Sequence, residues 1–598
     1  MQDQSGQADA AGNIPGGLNL FNLYEQTLGK FKPLTPFKPR KRSQKQKEKW
    51  NNQPRVIVFG LPQRYSLTDF RRVLTEQLNL DILRVKPFHK NQNRLEGRLM
   101  LMFNKDKDAE EAAGALNGFL WRGRNLKAVV SKNLAETGGL KRENDNSGDE
   151  DSKRAKTGFK DQAEALKYSQ LPLLDVPYQE QLKGKKEKAV SVLKSIHESL
   201  VNGRTSDEAT KTELLNHLEA QEKKFAGVPC ELVGPIQAPS MIGYRVKVEL
   251  NIGLDENGKK TVGYFVKDYH KRNVVAPMTQ DLKLIPDKIK ETAAIFQKYV
   301  ENSQLDVYSE ETHQGHWRKL AIRMGQGTNQ LAITVHLQLQ ALSKEALNDI
   351  KDDLADFFAR REGKTLNATS VYIQYSTDHR RVPVRAGNLE LVCGEEFMLE
   401  KFCGFTFQIS AESSFFQNIK AGEVLLKWVA DFAKVNKNTT LIDIGCGVGT
   451  IGLLLAKNAG EVIGFDTNER AIDHAQKNSI RNGITNCQFF RGSAKVLLSE
   501  LIPKAKFNNI TAIVDPPRLG LYHHVMVQLR STENLSRIVY ITHSPSLVIN
   551  DFVSLCHPPT PAHPGRPFVP VKSVAIDMFP NTPSFSLVIV FDRLPAGK

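Results

Sequence analysis

The sequence predicts a multidomain α/β protein: a C-terminal doubly wound, Rossmann-like sheet, a central α+β domain and a small N-terminal α/β sandwich. Three observations predict it. A length of 598 residues suggests about three or four domains rather than one core. Apolar residues make up 40% and charged residues 25%, which is ordinary globular usage and excludes a collagen-like, wholly disordered or membrane-embedded chain. From about Thr406 onward, apolar strand patterns alternate with helical periodicity. That alternation builds a parallel sheet between helix layers, with ligand chemistry at the strand C-termini.

Residues 1–53 mix Gly, Pro, Gln and Lys without apolar periodicity, and positions 31–50 hold eight basic residues against one acidic; they read as a basic flexible arm. Residues 54–132 turn globular. A strand VIVFG, a helix around Thr68 to Leu78, a weak strand near Ile82 to Val85, a strand LMLMF, a helix DAEEAAGAL and a strand LKAVV follow in order. This βαββαβ-like order predicts a sandwich of the RNA-recognition-motif (RRM) type. Residues 133–165 are a charged linker with no place for a core. Residues 166–405 open with the amphipathic pattern EKAVSVLKSIHESL and turn to alternating strands, YRVKVELNIG and KLAIRMG, which reads as the central α+β domain. Residues 406–598 carry the doubly wound pattern. Its last two strands, VKSVAIDMF and FSLVIVFD, have no helix between them, so the final one is expected to be antiparallel.

Charge narrows the partners. Lys+Arg at 82 against Asp+Glu at 66 leaves +16, which favours polyanions. Six cysteines with no CxxC pair argue against a disulfide framework, a zinc site or an iron–sulfur site. No metal is expected. The N-terminal residues lack the basic start and apolar stretch of a secretory signal, and no apolar run reaches about 18 residues. A soluble protein, nuclear and/or cytosolic and without a membrane partner, is the expectation. Lys141-Arg142 and Lys153-Arg154-Ala155-Lys156 suit a two-cluster nuclear import signal, and read equally as a solvated linker balancing GDED.

LIDIGCGVGT, Leu441 to Thr450, sets a buried strand directly before a glycine turn and a helix. Gly445, Gly447 and Gly449 let a ligand approach the backbone at a helix N-terminus. Asp466 ends the next strand about 20 residues on, where a carboxylate accepts hydrogen bonds from a ribose diol. A tight turn with a solvated Asp466 is the plainer alternative. Further on, AIVDPPR places Asp515 at a strand end before two prolines, which alone could be a capped turn.

The spacing G-C-G-x-G departs from the dinucleotide fingerprint and resembles S-adenosylmethionine (SAM) methyltransferases. With IVDPPRLGL, AESSFFQ, VYITHSP and VKSVAIDMFPNTP, the chain resembles the RNA uracil-5-methyltransferase family from about Pro54 to Arg593, and within it the eukaryotic tRNA enzymes that carry an N-terminal RRM. The resemblance implies SAM as cofactor and tRNA or another structured RNA as partner. It implies cofactor contacts from Gln417, Asp443, Gly445, Gly447, Gly449, Thr450, Asp466 and Asp515, with Asp515 also facing the acceptor base. Asp466 replaces a usual Glu, and Lys495 stands where the family commonly has an acidic residue near the adenine edge. YRVKVE and THQGHWRKLAIR resemble segments of the family's RNA-binding central domain. Direct RNA contact by Arg245, Lys247 and Arg318 stands beside ordinary packing for those residues.

Uracil C5 is too weak a nucleophile to take a methyl group unaided at neutral pH, so the family first adds a cysteine thiolate to C6. After transfer a carboxylate removes the C5 proton, and the cysteine leaves. In this sequence His543 stands at the nucleophile position of the YxSCNP loop, read here as YITHSP. Ser586 stands at the carboxylate position of FPxTPHxE, read as FPNTPSFS. An imidazole is a poorer nucleophile than a thiolate, and a lone serine has no useful proton affinity near pH 7. Cys556 falls in an apolar helix pattern and reads as a packing residue. Cys446, in the glycine turn, is expected to face the cofactor.

Three functions follow: a tRNA-binding family member impaired in catalysis, an active tRNA uridine-C5 methyltransferase using a variant route, or a nuclear RNA-processing adaptor acting through the RRM-like module. In that module Ile57, Arg98 and Met100 occupy the three positions that usually carry base-stacking aromatics, with Lys86, Lys90 and Arg94 adding charge. Arg98 could stack its guanidinium on a base; a protein-binding or purely structural sandwich is the alternative.

Overall fold

The computed structural model describes residues 54–131, with gaps that include 62–69 and 88–98, then 162–201 and 205–595, with gaps that include 267–273 and 377–388. The basic arm, the charged linker with its two basic clusters, and Lys90, Arg94 and Arg98 lie outside the described residues, as does most of the helix expected around Thr68 to Leu78. The chain divides into two compact units, Met1–Lys153 and Arg154–Lys598.

In the first unit, β1 (Arg55–Phe59), β2 (Arg84–Pro87), β3 (Leu99–Met102) and β4 (Lys127–Ser131) form an antiparallel sheet of order β2-β3-β1-β4, with α1 (Asp106–Leu116) between β3 and β4. The weak strand expected at Ile82 starts two positions later, at Arg84. Period-two alternation decides the faces. Val56, Val58, Leu99 and Leu101 join Ala109, Ala112 and Leu116 of α1 in the core. Ile57 and Met100 are direct cross-strand partners, outside that cluster.

The second unit is built on two sheets. Three strands alternate an apolar with a polar face: β6 (Lys247–Leu254), β9 (Trp317–Met324) and β10 (Leu331–Gln338). With β7 (Lys260–Val266), β8 (Val274–Pro277), β11 (Ser370–Ser376) and β12 (Leu389–Gly394) they make a sheet of order β8-β7-β6-β9-β10-β11-β12, in which only the β10–β11 pairing is parallel. Leu250, Leu320, Ile322, Ile333 and Val335 pack under α4 (Asp287–Asn302) and α5 (Lys344–Arg360). The opposite face aligns Asn251, Lys319, His336 and Gln374 in one row across four strands, and Lys247 beside Arg323.

A hairpin of β13 (Met398–Phe402) and β14 (Phe405–Ile409) leads to α6 (Ile419–Ala433), which starts where the Asn418 side chain accepts the Ala421 N–H at 3.1 Å. Then β15 (Thr439–Ile444), α7 (Thr450–Ala456), β16 (Glu461–Asp466), α8 (Glu469–Arg481), β17 (Cys487–Arg491), α9 (Ala494–Leu501), β18 (Asn509–Val514), α10 (His523–Ser531), β19 (Leu535–Thr542) and α11 (Ile549–Cys556) alternate as expected. Every residue of β15 is buried, as a central parallel strand covered on both faces requires. The pair β20 (Phe568–Ile576) and β21 (Ser586–Arg593) extends the sheet in the order β17-β16-β15-β18-β19-β21-β20, with an eighth strand beyond β20. The final strand β21 is antiparallel to both neighbours, as its missing crossover helix implies.

The eighth strand, β5 (Glu231–Ile236), comes from far upstream and pairs in parallel with β20. Helices α2 (Tyr178–Val201) and α3 (Glu208–Lys224) precede it, and Ala189, Leu193, Ile196, Leu214 and Cys230 share one core with Tyr540, Phe552 and Phe591. Residues 178–236, expected in the central domain, therefore pack with the C-terminal sheet. Their amphipathic pattern showed that they bury a face; it could not show against what.

Candidate active site

The C-terminal ends of β15, β16, β18 and β19 lie along one edge, because β15 pairs in register with β16 and β18, and β18 with β19. Chain order reverses between β15 and β18, which opens a crevice there. Gly445, Gly447 and Gly449 leave β15 with φ of 78°, 54° and 82°, the left-handed region that costs glycine nothing. At Gly445 space matters as well, since a Cβ would come within 3.1 Å of the Asp515 carbonyl oxygen.

Two carboxylates brace this turn. Asp443 is fully buried, and its Oδ2 accepts the Gly452 N–H at 2.8 Å, tying β15 to the first turn of α7. Burial, with Asp515 and Asp466 nearby, pushes the Asp443 carboxyl up to about 7. Asp466 accepts the Gly447 N–H at 3.1 Å through Oδ2 and the Asn468 N–H at 2.8 Å through Oδ1. Each oxygen keeps a second lone pair for a ligand hydroxyl. The buried Oδ1 of Asp443 has no partner, and Thr450 is buried at the head of α7. The open-backbone turn and the spare acceptor capacity of Asp466 fit a nucleoside-bearing cofactor such as SAM, which supplies a sulfonium methyl group when bound. Cys446 departs from expectation: its side chain is buried in the core, and burial beside Asp443 and Asp466 raises its thiol well above the usual range.

Gln417 is exposed, with its backbone carbonyl accepting the Val246 N–H at 2.9 Å. Lys495 is exposed in the first turn of α9. The AESSFFQ loop is fastened from the central sheet, where Arg323, only 4% exposed, donates to the Ser413 carbonyl at 3.0 Å.

On the acceptor side the structure brings together the two substituted positions. His543 follows β19, Ser586 begins β21, and His543 Nδ1 lies 2.6 Å from Ser586 Oγ. Ser586 is 0% exposed. Its hydroxyl is committed to the imidazole, so only Nε2 of His543 is left to handle a proton. The Phe579 ring meets the imidazole edge-on at 6.2 Å. Burial raises the Asp515 carboxyl, and His543 opposes that shift. Cys556 is fully buried among Phe552, Leu555 and Tyr540, in the packing role expected of it.

The loop carrying Phe579 depends on residues that no motif flagged. Lys185 of α2 reaches Asp577 Oδ1 at 2.6 Å and the Phe579 carbonyl at 3.2 Å, with side-chain exposures of 1% for Lys185 and 0% for Asp577. Gln181 accepts the Asn581 N–H at 2.9 Å and donates to its side chain at 3.0 Å. Partners so distant in sequence leave no local pattern to read.

Of the three cations expected to contact RNA from the central domain, two have protein partners. Arg318 pairs with Glu310 at 3.2 Å and lies over the Tyr308 ring, and Arg245 bonds Gln170 at 3.2 Å. Lys247 stands on the polar face of the central sheet, where burial and the charge of Arg323 lower its ammonium to about 8. On the same face, burial and Lys319 depress the His336 imidazole to about 4. Among the described residues no group of three or more His, Cys, Asp or Glu is arranged to hold a metal ion, and no helix is long and apolar enough to cross a membrane.

Residues 435–541 match the family model described as a methyltransferase domain. The mouse tRNA (uracil-5-)-methyltransferase homolog A is 30% identical over 542 residues, spanning 90% of this chain and 84% of the relative. The chain belongs to the tRNA (uracil-5-)-methyltransferase family. The mouse homolog B of that family is 32% identical over 434 residues, spanning 71% of this chain and 84% of the relative. A solved Pyrococcus abyssi tRNA (uracil-54, C5)-methyltransferase in complex with S-adenosyl-L-homocysteine is 22% identical, with a TM-score of 0.46, over 64% of this chain and 83% of the other. The domain at the C-terminus is a methyltransferase domain, as the family model over residues 435–541 and the family relatives show.

Proposed function

We propose that this chain is a SAM-binding and tRNA-binding member of the family that does not methylate uridine C5 by thiolate addition. The observation that carries this reading is the bond between His543 Nδ1 and Ser586 Oγ, 2.6 Å long. At the two positions where the resemblance puts a thiolate and a carboxylate, an imidazole and a buried hydroxyl bind each other. Without a thiolate no C6 adduct forms, so no enolate arises for the methyl group to meet, and the family's carboxylate base is absent as well. The cofactor turn, by contrast, keeps its glycines and both bracing carboxylates. RNA binding is supported by the family and by the +16 charge. The first unit, read as an RRM-like module, places aliphatic Ile57 and Met100 where stacking rings usually stand. It adds backbone or protein contacts rather than base stacking at those two positions.

Nucleoside mass spectrometry after incubating the full chain with tRNA and methyl-labelled SAM tests the reading. Calorimetry is expected to show cofactor and tRNA binding with no labelled 5-methyluridine formed. Labelled 5-methyluridine, made at a rate unchanged by His543→Ala and Ser586→Ala, overturns it.

A further inference from the structure

The loop after Asp515 presents an aromatic ring to solvent in a way packing does not require. Tyr522 is 75% exposed and stands at the N-cap of α10, where its side chain caps nothing. Its ring lies parallel to that of His524, with centroids 5.6 Å apart and planes 5° from each other. A single exposed aromatic is common on protein surfaces. Two features set this one apart.

The first is rigidity. Gly520 takes φ of 84°, and a Cβ there would fall 2.2 Å from Asp551 Oδ2. That same oxygen accepts the Leu521 N–H at 2.7 Å and the Tyr540 O–H at 2.6 Å, and Asp551 is only 6% exposed. A buried carboxylate on α11 therefore clamps the backbone directly before Tyr522, so little backbone freedom is lost there on binding. The second is position. The loop begins at Asp515 and Pro516, on the crevice edge, and runs through exposed Arg518 and Leu519 to the His523 and His524 pair beside Tyr522.

We propose that the Tyr522–His524 stack is a platform for an unpaired RNA base adjacent to the nucleotide that enters the crevice. An enzyme of this kind reaches a base only when it has left the stack, which leaves its neighbour without a stacking partner. A ring offered by the fastened loop that starts at the crevice edge replaces that partner, and Arg518 supplies a cation for the phosphate between the two nucleotides. The platform rests on the RNA-binding reading given above and names where on the site the RNA is gripped.

Equilibrium binding of a tRNA transcript to the full chain, at fixed salt, tests it. Tyr522→Ala is expected to weaken binding by about tenfold, as loss of one base–aromatic stack does, with SAM binding unchanged. Tyr522→Trp is expected to keep the affinity of the unaltered protein, and the introduced indole should lose fluorescence when tRNA is added. Equal affinity of Tyr522→Ala and the unaltered protein overturns the platform while leaving RNA binding intact. Fluorescence of Tyr522→Trp unmoved by saturating tRNA overturns it too. Failure of the unaltered protein to bind tRNA at all overturns the functional reading, and this inference with it.

Discussion

The two halves of the crevice are made of different material. On the cofactor side the walls are mostly backbone: three glycines in the left-handed region, the N-terminus of α7, and two carboxylates, Asp443 and Asp466, that brace the turn by accepting its N–H groups. On the acceptor side the chemistry belongs to two side chains, His543 and Ser586, held by contacts from elsewhere in the chain. A backbone cradle survives substitution of neighbouring side chains because its geometry is set by the fold. On the proposed reading, a reaction that needs a thiolate and a carboxylate fails when those two side chains are replaced, while the fold stays as it was.

The largest effect expected of any change is on that second half. His543→Cys together with Ser586→Glu should turn undetectable 5-methyluridine formation into a measurable rate by nucleoside mass spectrometry, and either change alone should not. A cysteine alone has no carboxylate to remove the C5 proton and leaves RNA attached. A glutamate alone has no C6 adduct to deprotonate. Methylation by a single variant would break the comparison, since the acceptor side would then need only one side chain.

Next comes the clamp that holds the acceptor loop. Lys185→Met leaves the fully buried Asp577 without its partner, a loss of about 3–5 kcal/mol that thermal or urea unfolding would register. Adding Asp577→Leu should recover most of it, because the buried pair carries its own desolvation cost. Equal stability of Lys185→Met and the unaltered protein would show that the loop is held by other means.

On the cofactor side, Asp466→Ala removes two N–H acceptors and the spare lone pairs left for a ligand hydroxyl, and should weaken SAM binding by roughly a hundredfold. Titration calorimetry measures it. Unchanged affinity would mean that the cradle works without its outer carboxylate.

The smallest effect is a pH slope. Asp443, raised from 3.8 to about 7 in the folded protein, holds a proton there that the unfolded chain has already released. Its contribution to stability is therefore complete below about pH 4 and is lost as the pH rises through about 7. Between pH 5 and pH 8 it should lower the unfolding free energy by on the order of 2 kcal/mol. Asp443→Asn, still able to accept the Gly452 N–H, should flatten that slope. An equal slope in both proteins would place the buried proton elsewhere.

The cofactor half was legible in the sequence because it is local. A buried strand, three glycines, a helix start and a carboxylate at the next strand end lie within the span Leu441 to Asp466, and each follows from the backbone demands of its neighbours. The antiparallel end of the sheet was legible for the same kind of reason, since two strands without a crossover helix cannot run parallel. His543 and Ser586 were identified only by their positions in motifs, and nothing in those motifs said that the two side chains touch.

Sequence by itself determined which chemical groups exist on each side of the crevice and where the local turns fall, because composition, hydrophobic period and glycine placement act over a few residues. Tertiary structure alone decided that β5 and α2, from the region before residue 240, complete the C-terminal sheet and its core. It also decided that Lys185 meets Asp577, that Arg323 anchors the AESSFFQ loop, and that a carboxylate on α11 fastens the backbone at Leu521, directly before Tyr522. Each of those contacts joins segments far apart in the chain, and their pairing is selected by burial and charge in the folded core, which leaves no period or spacing along the sequence.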